Sequence, residues 1–205
     1  MLSVAEQVSL IGALLDNWRV PRTSWFVVDA VALHLLGYPI DPDAWADHVN
    51  VYVDQNVLPW RSDELEETIP PPGSQELADW LRMMDRGAAL HLVPARRYIE
   101  RGIDVVMATL PDGNSFQVVS LRGYLRLGVL RAGELMSNVA GEAEAVIRST
   151  AVLRFERASQ LPSELFGVPM SDCVVHLREG YRCLAAGDIA RGRKHFEAAG
   201  DLAGL

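Results

Sequence analysis

Apolar residues near the start of the chain recur at Val4, Val8, Ile11 and Leu15, the spacing of a single helical face. Ser3-Val-Ala-Glu6 supplies a capping box and Pro21 blocks continuation, so a helix is predicted over residues 3–18. The pattern then changes. Trp25-Phe-Val-Val is an unbroken apolar run that reads as a buried strand reaching Asp29, followed directly by a helix over 30–36 that Gly37 closes. Residues 38–47 form a loop rich in Pro and Asp. His48-Val-Asn-Val-Tyr-Val-Asp54 alternates with a period of two and predicts a second strand. Beyond the Pro70-Pro-Pro-Gly73 break come a helix over 74–84, a strand over 88–92 and a short helix opened by Pro94. Residues 102–108 predict a strand, and the Pro111-Asp-Gly113 turn leads to a hairpin partner over 116–119.

From Ser120 onward every periodic segment is helical. Helices are predicted over 120–136, 172–186 and 189–202, with turns near Asn138, at Leu161-Pro162 and at Gly187-Asp188. Strands before residue 120 and helices after it make an α+β protein: a small mixed sheet with flanking helices, then a helical C-terminal part. The expected division is a core over 1–125 and a helical region over 126–205.

Composition narrows the class. Hydrophobic residues make up 49% and charged residues 22% of the 205, enough apolar side chains for a packed core. The longest apolar stretch, 25–39, is interrupted by Asp29 and His34, and about 20 residues are needed to span a bilayer. Glu6 and the lack of a basic flank argue against a secretory signal, so a cytoplasmic protein is expected. Cys173 and Cys183 lie about 15 Å apart along one predicted helix, too far for a disulfide, and read as small core residues. Residues 1–110 hold 16 acids and 8 arginines, a net of -8, while 111–205 balance at 11 of each sign. The acidic first half opposes nucleic acid as a partner.

Three segments carry candidate chemistry: Val27-Val-Asp-Ala-Val-Ala-Leu-His-Leu-Leu-Gly37, Asp47-His-Val-Asn-Val-Tyr-Val-Asp54, and Gly102-Ile-Asp-Val-Val106. Together they resemble the minimal nucleotidyltransferase superfamily, which includes the nucleotidyltransferase-like toxins of abortive-infection systems. The resemblance implies a strand and helix bearing a glycine pair beside the phosphates, a strand with two alternate carboxylates, and a third carboxylate on a later strand. Carboxylates at i and i+2 of a strand face the same side and hold Mg²⁺, which bridges a triphosphate and activates a hydroxyl. Carried over by position, the glycine pair becomes Asp29-Ala30, the two strand carboxylates become His48 and Asn50, and the third is Asp104. Each replacement opposes the chemistry. Asn50 is neutral and His48 offers nitrogen where Mg²⁺ takes oxygen. A carboxylate at Asp29, about 4 Å from an incoming phosphate charge, costs roughly 4 kcal/mol at an effective dielectric of about 20.

The expectation is therefore a catalytically degenerate nucleotidyltransferase fold with no cofactor, acting by protein association or ligand sensing. Its candidate cleft comprises Asp29, His48, Asn50, Asp54 and Asp104. The alternative is an active Mg²⁺-dependent enzyme with a rearranged carboxylate site, Asp104 acting with Asp54 or Asp47, and with Asp41 and Asp43 nearby. Arg96, Arg97 and Arg101 read either as a solvated or salt-bridged helix face or as an anion site opening on the same cleft. His34, among leucines, reads as a structural or surface histidine. Gly180-Tyr-Arg-Cys-Leu-Ala-Ala-Gly187 and the helix after it resemble one tetratricopeptide unit over 172–203. A single unit cannot bury a continuous face by stacking, so it reads as a docked hairpin or as a surface for a protein partner.

Overall fold

A computed structural model describes residues 2–40, 48–60, 68–99, 101–138, 144–160, 167 and 170–205. The chain forms two compact units, Met1–Ser120 and Leu121–Leu205. The fold is mixed α+β, and among the described residues there are five strands, all in the first unit. Among the described residues no helix is long and apolar enough to cross a membrane.

The first unit opens with α1, Val4–Asn17. The Glu6 backbone N–H donates to Ser3 Oγ, and the Glu6 carboxylate accepts from the Ser3 N–H at 2.7 Å, so the helix starts where the capping box places it. The Ser3 side chain, followed by its backbone N–H, holds the Glu6 carboxyl below its ordinary value. Strand β1, Trp25–Val27, is wholly buried and feeds α2, Asp29–Leu35. Strand β2, Val49–Val53, runs back beside it. Helix α3, Gln75–Asp85, is capped by the Ser74 side chain and crosses to β3, Leu90–Pro94. The short helix α4, Arg96–Ile99, follows, and the hairpin β4, Val105–Thr109, with β5, Ser115–Val119, completes the sheet.

The strand order is β3-β2-β1-β5-β4. β1 is antiparallel to β2 and parallel to β5, β2 is parallel to β3, and β4 closes the far edge antiparallel to β5. Three starting points differ from the pattern, one of them the short helix, which begins at Arg96 because Pro94 is the last residue of β3. The third strand begins at Leu90 because Ala88 donates to the Met83 carbonyl and so belongs to the end of α3. The fourth begins at Val105, after the left-handed Gly102 (φ 67°), which leaves Asp104 just before the strand.

Both faces of the sheet are covered except at the edge strand β4, where Val106 and Met107 are exposed. On one, Trp25 packs on Phe116 with ring centroids 5.4 Å apart, and Phe116 lies over Gly12 of α1. On the other, Phe26, Tyr52 and Tyr98 of α4 form a stack with centroids 5.7 and 5.0 Å apart.

The second unit contains α5, Leu121–Asn138; α6, Glu144–Gln160; α7, Met170–Ala185; and α8, Ile189–Ala203. The predicted turn at Leu161-Pro162 falls outside the described residues, and α5 ends at Asn138, near which the other turn is predicted. α7 and α8 form an antiparallel hairpin around Gly187, whose φ of 84° suits glycine. Asp188 caps α8 through the Arg191 N–H. Between these helices Phe196 lies against Tyr181 and over Gly180.

Cys173 and Cys183 are free and buried. Burial pushes the Cys173 thiol up to about 11, from 9.0. That shift alone lowers its thiolate population at pH 8 about a hundredfold. Alkylation of the native chain by iodoacetamide at pH 8, with the Cys173 peptide quantified by mass spectrometry, should therefore be at least about a hundredfold slower than in the urea-unfolded chain. Labelling at a similar rate would contradict the burial.

Candidate functional site

The sheet register sets the site. β1 runs towards one end of the sheet, while β2 and β3 start from it, because β1 pairs antiparallel with β2 and β2 parallel with β3. Asp29, His48, Asn50 and His91 therefore meet at that end. Asn50 is opposite His91 in the ladder, and the Asn50 carbonyl accepts from the Val28 N–H at 3.1 Å. This fixes the side chain of Asn50 between the β1–α2 junction and β3.

A hydrogen-bonded chain results. Asn50 Nδ2 donates to Asp29 Oδ2 at 2.8 Å, and Asn50 Oδ1 lies 2.7 Å from His91 Nδ1. The carboxylate only accepts, so it takes the amide nitrogen and turns the amide oxygen towards the imidazole. His91 then carries its proton on Nδ1 and donates it. The His48 ring meets His91 edge-on, with centroids 5.1 Å apart and planes at 88°. All four side chains are partly buried.

Asp29 holds this chain from a constrained backbone. It begins α2 with φ of 61°, in the left-handed region. For a residue other than glycine that conformation costs of order 1–3 kcal/mol, and Asp is among the side chains that tolerate it best. The strain sits at the β1–α2 junction, where the resemblance implies a glycine pair.

The other predicted residues lie elsewhere. Asp104 is at the same end of the sheet, where its carbonyl accepts from the Ser120 N–H. However, β1 and β5 separate its strand from β2. Three strand spacings place it about 14 Å from Asn50, so it does not form the expected third corner. Asp54 is level with Ser24 at the opposite end of β2, and its side chain accepts from the Asn56 N–H to cap a 3-10 turn. Asp54 and Asp104 thus cannot share an ion. Asp41, Asp43 and Asp47 lie outside the described residues.

Arg96 and Arg97 open α4, which follows the C-terminal end of β3, about 13 Å along the strand from its first residue. Arg101 is exposed in the turn after α4. Arg96 and Arg97 do not start from the end of the sheet that holds Asn50, because the strand before them runs away from it. His34 is exposed, with Nδ1 3.0 Å from the Ile40 carbonyl.

His91 is the residue that the sequence pattern missed. A signal was present: a helix between two strands makes a crossover, which favours parallel neighbours and so sets residues 88–94 beside β2. The alternation Leu90-His-Leu-Val then gives His91 the same face as Asn50.

The residues present do not fit a Mg²⁺ site. Mg²⁺ takes oxygen ligands in near-octahedral geometry. Here the amide oxygen accepts from an imidazole, and one Asp29 oxygen accepts from the amide. Among the described residues no three His, Cys, Asp or Glu side chains form a metal-binding group. No protein-family model matches the sequence, and no curated protein matches it. The chemistry of the side chains therefore carries the functional argument.

Proposed function

We propose that the first unit is a catalytically inactive, nucleotidyltransferase-like core that acts by binding, through ligand sensing or protein association. The observation that carries this reading is the Asp29–Asn50–His91 chain. At the end of the sheet where nucleotidyl transfer needs oxygen anions, the strand positions hold an amide and imidazoles. The single carboxylate is turned onto the amide. The order of elements supports the likeness, since a strand and helix precede the alternating strand, as in the superfamily. Association would use the helical second unit, where Val146, Val152, Leu153 and Val175 are exposed.

Calorimetry of the full chain with ATP, GTP or CTP plus Mg²⁺ tests the reading. The expected result is no Mg²⁺-dependent heat beyond the metal blank and no transfer of radiolabel to protein or RNA acceptors. Metal-dependent binding at micromolar affinity with label transfer would remove it.

A further inference from the structure

Next to the hydrogen-bonded chain, α3 and the start of β3 enclose an open groove of about 520 Å³, lined by His48, Leu77, Trp80, Leu81, Met84 and His91. That volume lies within the range of about 300–1,000 Å³ typical of small-molecule sites, which are mostly apolar with a few convergent polar groups. The groove has this character. Trp80 is buried in its wall, while Leu81 and Met84 are 52% and 44% exposed. Its polar side-chain groups are the two imidazoles and the indole of Trp80, whose Nε1 is buried without a hydrogen-bond partner among the described residues.

The two histidines differ in what they can offer. His91 has its Nδ1 proton committed to Asn50, so its orientation is fixed. His48 is partly buried and meets the His91 ring edge-on, and among the described residues neither of its nitrogens has a hydrogen bond. A partly buried imidazole without hydrogen bonds is a polar group that a bound molecule can satisfy. Charge narrows the class of molecule. The Asp29 carboxylate is tied through Asn50 to His91, so a second carboxylate or phosphate beside these imidazoles is disfavoured by like charge.

We propose that this groove binds a neutral small molecule with an apolar, ring-sized body and one hydroxyl or N–H group that hydrogen-bonds the His48 imidazole. The inference rests on the reading that this end of the sheet binds rather than transfers nucleotidyl groups.

Titration of the full chain with p-cresol, followed by the NMR signals of the histidine rings, tests it. The expected result is saturable shifts of His48 and His91, with p-toluate at least tenfold weaker. His48→Phe keeps the apolar volume and should weaken p-cresol about tenfold, the effect of one hydrogen bond, while leaving toluene unchanged. Shifts that never saturate, equal binding of p-toluate, or undiminished p-cresol affinity in H48F would overturn the assignment. If H48F does not fold, Met84→Trp decides, since filling the groove should abolish the shifts and their persistence would overturn the site. Metal-dependent nucleotidyl transfer would remove the functional reading whatever p-cresol does. Missing p-cresol shifts without any transfer would remove only the groove.

Discussion

Trp25→Ala should destabilise the first unit by about 3–5 kcal/mol, the cost of truncating a fully buried tryptophan. Trp25 has no solvent exposure, lies on β1 at the centre of the sheet, and packs against Phe116. Removing it empties the space between α1 and the strands that aim Asp29 and Asn50. Amide exchange in β1, β2 and β5 should speed up by a hundredfold or more. Trp25→Phe separates packing from polarity. The indole Nε1 is buried without a hydrogen-bond partner, a penalty of about 1–3 kcal/mol that phenylalanine removes. That gain offsets most of the smaller cavity, so W25F should stay within about 1 kcal/mol of the parent. If W25F loses as much stability as W25A, the account of this core fails.

The second large effect belongs to Gly180 on α7. Alanine in a helix interior gains about 1 kcal/mol over glycine from propensity. Here a Cβ would stand 2.4 and 2.6 Å from atoms of the Phe196 ring, inside any permissible contact. Phe196 cannot swing away cheaply, because it is buried and held against Tyr181 at 5.0 Å. Overpacking of this kind costs about 1–3 kcal/mol and occasionally more, so it outweighs the propensity gain. G180A should lower stability by about 1–2 kcal/mol, and G180V by more, read as faster amide exchange in α7 and α8. Phe196→Leu makes room for the methyl, so the double variant should be more stable than the two single losses added together. Strict additivity would mean that the two side chains do not meet.

Both variants act where distant segments press together, and there the sequence was hardest to read. The resemblance to a tetratricopeptide unit marked Gly180 as belonging to an antiparallel helix pair, but not how closely the ring of Phe196 lies over it. Asp29 was legible as the residue joining a strand to a helix, but its left-handed backbone was not. The arginines of α4 seemed close to Asp104 because they are close in sequence. The chain crosses from one edge of the sheet to the other between them.

Local signals determined the elements. The Ser3–Glu6 capping box, the alternation around Asn50, the turn at Gly187 and the switch from strands to helices at Ser120 each depend on residues a few positions apart, and each gives the element observed. His48 and Asn50 were already marked as nitrogen groups in place of anions. Only the tertiary structure decided which side chains complete the site. Strand pairing brings together residues 41 positions apart, such as Asn50 and His91, and the same pairing puts two strands between Asn50 and Asp104. The order of strands in a sheet is set by which apolar faces bury best together, a property of the whole core that no single segment contains.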